Sequence, residues 1–208
     1  MRTDSAAGSP AVPGPAAEPR SLEVQRAEFS RRRFLAMPLA GTIAWLVVAA
    51  GGALLPPMGS ALLLFFATGS IAFLGMFLSR FTGENMLDKT RPKNEFDGLF
   101  FHAMGMSLLV FAIAIPFFRQ DYTSLPLTVG ILTGLMWLPL SWIIRHWIGV
   151  FHAVGRTVLV TATWYLFPDD RFVAVPLVIV GMYLVTIAVL EQRWRRLAAG
   201  QDRPVGRA

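Results

Sequence analysis

Six long apolar runs dominate the chain and are separated by short polar or proline-containing segments. The runs lie at residues 34–55, 60–79, 99–118, 126–144, 148–167 and 172–190. Each is close to the roughly 20 residues that a helix needs to cross the hydrocarbon core of a bilayer. Backbone groups find no water in that core, so helices are the expected form of such runs. The pattern predicts an all-α integral membrane protein, a six-transmembrane-helix bundle in which Pro139 kinks the fourth span.

The segments outside the runs are different in character. Residues 1–20 are small, polar and rich in proline, a composition typical of disordered chain. Residues 21–33 predict a short helix at the membrane surface. We therefore expect three parts: a disordered and basic cytoplasmic segment over residues 1–33, a transmembrane domain over 34–192 and a basic cytoplasmic tail over 193–208.

Charge distribution indicates the orientation. Only 15% of the residues are charged, whereas a soluble domain has about 25%. The net charge of +6 lies between apolar runs and not on one exposed face, so the lipid bilayer is the expected partner and nucleic acid is not. If the N-terminus is inside, nearly all the basic residues that flank spans become cytoplasmic. These are Arg31, Arg32, Arg33, Arg80, Lys89, Arg91, Lys93, Arg145, Arg193, Arg195 and Arg196. Only Arg119 and Arg171 then lie on the outer side. Both termini are therefore expected in the cytoplasm. The expected location of the chain is the inner membrane of a bacterial cell.

One alternative concerns the start of the first span. The stretch "SRRRFLA" at residues 30–36 resembles a twin-arginine export motif ahead of an apolar run. Export would imply cleavage and a mature chain of five spans. Residues 43–55 are very apolar for such a signal, and no clean A-x-A cleavage site follows. The interpretation of this stretch as a cytoplasmic anchor is therefore favoured.

The stretch "RHWIGVFHAVGRT" at residues 145–157 carries candidate chemistry into the fifth span. Arg156 lies eight residues past Ile148, about 12 Å into the bilayer at 1.5 Å per residue. His152 is one turn closer to the cytoplasm on the same face. A neighbouring stripe of small residues favours close approach of another helix. Its members are Gly149, Ala153, Thr157 and Thr161. We expect His152 and Arg156 to point into the bundle.

His102, one turn into the third span, completes a candidate polar vestibule with His152 and Arg156. Because no span contains an acidic residue, the expected partner of Arg156 is a carboxylate from the preceding loop, Asp97 or Glu95. A structural interpretation stays open for all three vestibule residues, as helix anchors that bind carbonyls, water or a carboxylate.

Other chemistry finds little support. The chain has no Cys, and His146 and His152 are too far from alignment on one helix face to form a metal pair, so no metal site is expected. Single hydroxyls without an intramembrane carboxylate do not make a nucleophile and base. No phosphate-binding or dinucleotide motif is present, and no cofactor or catalytic residue is predicted. Enzyme activity is thus a distant third possibility.

Several motifs together resemble a family of uncharacterised bacterial six-helix membrane proteins. They are "NEFDGLFFHAMGMSLLVF" from residue 94, "WLPLSWIIRHWIGVFHAVGRT" from residue 137 and "FPDDRF" from residue 167, with Trp164, Pro176 and Tyr183. The resemblance covers about residues 34–192. It implies the architecture and no activity. Arg171 in the outer turn is expected to bond the free carbonyls that end the fifth helix.

Two classes of function follow from these observations. The first is a small permease or channel for an anionic or proton-coupled small-molecule solute, with the vestibule open to the cytoplasm. The second is a structural or regulatory membrane subunit in which the polar cluster clamps helices together. A water-accessible cleft reaching Arg156 would favour the first, and a dry, fully bonded Arg156 the second. Assembly into a homo-oligomer is compatible with both.

Overall fold

The computed structural model describes residues 20–88 and 90–201, and these residues form ten α-helices with no β-strand. The helices are α1 (Leu22–Ser30), α2 (Ala36–Leu54), α3 (Pro57–Gly69), α4 (Ile71–Ser79), α5 (Glu95–Leu109), α6 (Phe111–Gln120), α7 (Leu125–Leu132), α8 (Trp137–Ile144), α9 (Ile148–Leu166) and α10 (Arg171–Gln201). The predicted all-α class is therefore confirmed. Residues 1–19 of the predicted disordered segment lie outside the described residues. So do Lys89 and residues 202–208 of the predicted tail.

Four helical segments in the described part are long and apolar enough to cross a membrane. They are Ala36–Leu54, Glu95–Gln120, Tyr122–Ile144 and Arg171–Gly200. A fifth candidate is the pair α3 and α4, which is bent by 42° at Ser70. The predicted count of six is not reached, because α9 has the right length but carries His152 and Arg156, which lower its hydropathy.

Contacts between helix termini define two opposite ends of the bundle. At the first end, Arg33 before α2 binds Glu191 late in α10, and Arg32 binds Asp97 at the start of α5. At the second end, Trp164 near the end of α9 donates to the Thr123 carbonyl at 3.0 Å. Successive long segments thus run between the same two ends in alternating directions. We call the end that carries Arg32 and Arg33 the basic end.

The segment from Tyr122 to Ile144 is broken between α7 and α8. Pro139 has no N–H to offer the Leu135 carbonyl four residues earlier, and its ring crowds that turn. Residues 133–136 instead form tighter turns, in which the Gly134 N–H bonds the Ile131 carbonyl at 2.8 Å. The predicted kink in this span is thus present, one turn before Pro139 itself.

Glycines on α2 let it pack closely against α10, the most extensive helix contact in the bundle. The Tyr183 ring occupies the space where a Cβ on Gly41 would lie. Gly52 likewise lies against the Phe172 carbonyl, which has no helical partner because residue 176, four positions on, is proline. This packing brings the first and last long helices together around the middle of α9.

Candidate functional site

The α8–α9 hairpin positions the candidate residues. Arg145 ends α8 in a left-handed conformation with φ of 48°, and only three residues separate the two helices. Gly149 then lies against the Trp137 carbonyl and Ser141, where a side chain would clash. Ala153, one turn on, is also buried. The predicted small-residue stripe therefore begins as a close contact with α8, and it orients the adjacent face of α9 into the bundle.

Arg156 is the most deeply enclosed charged residue in the described part of the chain, with no exposed surface. Its Nε donates to the Gly130 carbonyl at 2.6 Å, Nη1 to the Tyr183 hydroxyl at 3.2 Å and Nη2 to the Thr133 hydroxyl at 2.9 Å. The guanidinium carbon also lies 5.4 Å from the centre of the Trp45 ring. One side chain therefore connects α7, the α7–α8 break, α10 and α2.

The break between α7 and α8 explains why the Gly130 carbonyl accepts a hydrogen bond from Arg156. In a continuous helix the Gly130 carbonyl would take the N–H of Gly134. That N–H is used by Ile131 instead, which leaves the Gly130 oxygen free. A free carbonyl inside an apolar bundle costs free energy unless it finds a donor. Arg156 supplies that donor, so the helix break and the buried guanidinium satisfy each other.

His152 is fully buried one turn from Arg156, between the rings of Trp137 and Tyr183. Its Nδ1 lies 2.7 Å from the Thr186 hydroxyl, which itself donates to the Met182 carbonyl. Because that hydroxyl proton is already used, Nδ1 must be the donor and Nε2 carries the lone pair. Within residues 20–88 and 90–201, Nε2 has no hydrogen-bond partner, and neither has the buried indole N–H of Trp45.

The predicted partners of Arg156 lie elsewhere. Asp97 forms a two-pronged ion pair with Arg32, and Glu95 is exposed at the start of α5. Neutral carbonyl and hydroxyl oxygens accept from all three guanidinium nitrogens of Arg156, and no carboxylate of the described residues touches it. The prediction that Arg156 pairs with Asp97 or Glu95 is wrong.

The structure also separates the three residues of the predicted vestibule. His102 is exposed on α5, where its Nδ1 lies 2.7 Å from the Gly98 carbonyl of its own helix. It is not one of the groups that contact His152 or Arg156. The vestibule therefore reduces to the two residues of α9, which are enclosed and do not form a surface open to the cytoplasm.

Ion pairs organise the basic end. The two carboxylate oxygens of Glu191 hold Arg33, and this hydrogen bonding raises the pKa of the Arg33 guanidinium. A Glu84 oxygen accepts from the N–H groups of Leu35 and Ala36, which begin α2. A carboxylate there also interacts favourably with the positive end of the helix dipole. The chain entering α2 is thereby fixed to the loop after α4 and to the end of α10.

His146 lies between α8 and α9. Partial burial, with a smaller contribution from the charge of Arg193, lowers the pKa of its imidazole. The ring stacks on Trp147 and its Nδ1 accepts from the Ile148 N–H at 3.3 Å. These contacts give His146 a role in starting α9.

A narrow cavity of about 80 Å³ lies between α2, α4, α5 and α8. Its walls are mainly apolar, and they include Met37, Ile71, Phe100, Met104, Met136 and Leu140. Arg32 and Glu84 line it at the basic end, and Thr133 with Tyr183 line it deeper in the bundle. We call this space the apolar chamber. It reaches two hydrogen-bond partners of Arg156 but not Arg156 itself.

The chemistry open to these groups is binding and positioning. A buried guanidinium attracts acceptors and anions, and the Tyr183 hydroxyl, which accepts from Arg156, still has its own proton to donate. The Thr186 hydroxyl lies beside His152, but it donates its proton to the Met182 carbonyl, so the imidazole does not act on it as a base. The described residues contain no group of three His, Asp or Glu side chains able to hold a metal ion.

Four residues that complete the site were missed at the level of sequence: Trp45, Gly130, Thr133 and Tyr183. Tyr183 was noted only as part of a motif. Pro139 indicated a break in this span, but the carbonyl that it leaves without a donor is that of Leu135, so it did not point to Gly130, Thr133 or Trp45. The expected Arg171 contact is confirmed, since its Nε donates to the Trp164 carbonyl at 3.1 Å.

The fold and this site define an all-helical protein whose long apolar helices are those of a membrane protein. The chain belongs to the family described as a family of unknown function, DUF7010, whose sequence model matches residues 23–193. The predicted membership of an uncharacterised family is thus confirmed. Comparison with curated proteins and with solved structures gave no match.

Proposed function

We propose that the chain is a structural or regulatory membrane subunit in which Arg156 clamps the helices together. The observation that carries this proposal is the complete burial of Arg156 with all three guanidinium nitrogens hydrogen-bonded. A hydrogen bond to a charged group contributes about 1.5–3 kcal/mol to stability. A guanidinium that served mainly to meet a solute would need an open face.

A second candidate is a small permease or channel for an anionic or proton-coupled solute. The apolar chamber favours it, because the chamber reaches Thr133 and Tyr183, two partners of Arg156. An acceptor placed there would meet the free proton of Tyr183 and the positive charge behind it. The chamber would have to widen for any solute larger than a few water molecules to pass.

For either candidate we propose six membrane spans with both termini in the cytoplasm of a bacterial cell. The alternating direction of the long segments supports this count, with α9 as the fifth span. Concentration of arginines at the basic end supports the orientation. Ion pairs of Arg32 and Arg33 with Asp97 and Glu191 support the interpretation of this stretch as an anchor instead of an export signal.

Replacement of Arg156 by Lys tests the proposal. Lys keeps the charge but has no planar fork, so it cannot reach Gly130, Thr133 and Tyr183 together. We expect a loss of about 1.5–3 kcal/mol in stability, measured as a lower thermal midpoint in detergent. Arg119→Lys, at an exposed position, is the matched control.

The Arg156→Lys variant also distinguishes the permease or channel from the helix clamp. Proteoliposomes loaded with chloride-sensitive or pH-sensitive dyes would report flux by the wild-type protein. Flux that disappears in Arg156→Lys while the thermal midpoint stays unchanged would contradict the clamp and establish a solute-handling arginine. An unchanged midpoint without any flux would contradict both functions for this residue.

A further inference from the structure

A second cleft, of about 610 Å³, opens beside the apolar chamber at the basic end of the bundle. Four arginines line it: Arg31, Arg32, Arg33 and Arg91. We call it the basic cleft. Arg32 and Glu84 line both the basic cleft and the apolar chamber, so the two spaces are adjoining. A mainly apolar space and a basic surface therefore meet at one edge.

Two of the four guanidiniums in the basic cleft are available to an added anion. Arg31 is exposed and contacts no carboxylate within residues 20–88 and 90–201. Arg91 approaches the Asp88 carboxylate only to 3.5 Å through Nε, and its Nη1 donates to the Glu84 carbonyl. Both therefore keep N–H donors for a ligand.

The lining of the basic cleft carries a net positive charge, because its four arginines outnumber its two carboxylates, Glu28 and Glu84. One Glu84 oxygen accepts two N–H groups at the start of α2. Both Glu28 oxygens accept from Arg20 at 2.7 Å. The basic cleft thus presents positive charge to whatever enters it.

The apolar chamber lies beside a weakly packed side of the bundle. Its walls include residues of α4 and α5, yet these two helices share no extended contact with each other. The segment from Glu95 to Gln120 is also the least buried of the four long candidate spans. In a membrane this side faces hydrocarbon, so a chain can enter between α4 and α5 without passing through water.

We propose that the basic cleft and the apolar chamber together bind one anionic membrane lipid. Its phosphate group lies at Arg31 and Arg91, and the first part of an acyl chain lies in the apolar chamber. Basic pockets between helices at the cytoplasmic side are suited to anionic head groups. Hydrocarbon also fills an apolar space that offers water few partners. This inference rests on the membrane-protein class and on the proposed orientation of the basic end, and not on the helix clamp.

The first test compares lipids on the full-length protein in detergent. Dioleoyl phosphatidylglycerol should raise the thermal midpoint with a saturable dose dependence, whereas dioleoyl phosphatidylcholine should not. Glycerol phosphate, the head group without a chain, should have no effect at the same concentration. Equal stabilisation by the two lipids would overturn the charge selection, and equal stabilisation by glycerol phosphate would show a free-phosphate site.

Charge variants test the head-group position. Arg31→Gln combined with Arg91→Gln should weaken phosphatidylglycerol binding about thirtyfold, since each basic residue contributes roughly fivefold. Arg80→Gln, an exposed arginine at the same end that does not line the cleft, is the control. Equal binding by the double variant and the control would overturn the proposed position of the phosphate.

Photolabelling tests the chain position on the wild-type protein and needs no variant to fold. Phosphatidylglycerol with a diazirine on its acyl chain should label peptides of α4 and α5 that contain Ile71, Phe100 or Met104. Excess unlabelled phosphatidylglycerol should suppress that labelling, and phosphatidylcholine should not. Labelling spread evenly over the exposed faces of α6 and α9 would show bulk lipid contact and refute the site.

Discussion

Arg156 differs from a conventional buried ion pair because all of its partners are neutral. Its oxygen acceptors belong to Gly130, Thr133 and Tyr183, none of which is a carboxylate. Acidification, which protonates carboxylates and weakens ion pairs, leaves such bonds in place. At the basic end, the ion pair of Arg33 with Glu191 contains a carboxylate and lacks this protection. The centre of the bundle and its basic end are therefore expected to respond differently to pH.

Tyr183→Phe removes one acceptor from Arg156 while keeping the ring that packs against Gly41 and His152. We expect a loss of about 1.5–3 kcal/mol, because the Nη1 donor would remain buried without its partner. Thermal unfolding in detergent measures it. Tyr165→Phe is the matched control, since Tyr165 is 71% exposed. Equal midpoints for the two variants would show that the Tyr183 hydroxyl contributes nothing.

His152 should be neutral with its proton on Nδ1. The reason is geometric: Thr186 uses its own hydroxyl proton on the Met182 carbonyl and so can only accept from the ring. Nitrogen-15 NMR of labelled protein distinguishes the two neutral tautomers by their ring-nitrogen shifts. Thr186→Val should remove the preference for Nδ1. A proton found on Nε2 in the wild-type protein would contradict the assigned hydrogen bond.

At the scale of elements, the α8–α9 hairpin depends on small residues at the contact. Ala153→Leu should destabilise the bundle by about 1–3 kcal/mol, because Ala153 is 1% exposed and added bulk forces the helices apart. Val154→Leu is the control on the same helix, at a position 54% exposed. Comparison of thermal midpoints checks both. Equal thermal midpoints for Ala153→Leu and Val154→Leu would show that the small-residue stripe does not stabilise the contact between α8 and α9.

The limits of two helices could be predicted closely from the apolar runs. The run at 148–167 is α9, Ile148–Leu166, and the run at 34–55 is α2, Ala36–Leu54. The bend at Ser70 could not be predicted, because Gly69 and Ser70 are common in continuous transmembrane helices. The bend itself lies at the Gly69–Ser70 pair, a common cause of sharp kinks, and the Ser70 hydroxyl donates to the Ala67 carbonyl at 2.8 Å.

The site was predicted in part for a similar reason. Burial of His152 and Arg156 follows from their helical spacing beside small residues, which the sequence contains. A buried charge usually needs an opposite charge, which predicted a carboxylate partner for Arg156. The partners instead come from a helix break and from two hydroxyls on other elements, Thr133 and Tyr183. Such partners depend on tertiary packing, which no local pattern encodes.

At the scale of the whole molecule, the arrangement of ends predicts a topology. Reporter fusions after Arg91 and after Arg196 should give cytoplasmic signals, and fusions near Tyr122 and Asp170 periplasmic ones. The reason is the excess of arginines at the basic end. A periplasmic signal at Arg91 would reverse the proposed orientation. N-terminal sequencing should find residues before Arg31, whereas a start near Gly59 would favour the export signal.

The order in which the contacts of α10 become available has a consequence for synthesis. Gly130 and Thr133 leave the ribosome before Arg156, but Tyr183, Thr186 and Glu191 leave after it. Until α10 enters the membrane, Arg156 lacks the Tyr183 hydroxyl, His152 lacks the Thr186 hydroxyl and Arg33 lacks the Glu191 carboxylate. A nascent or truncated chain therefore exposes a partly unbonded guanidinium within the bilayer. Insertion of the last helix completes these hydrogen bonds, so a chain that stops before it keeps unpaired polar groups in the bundle.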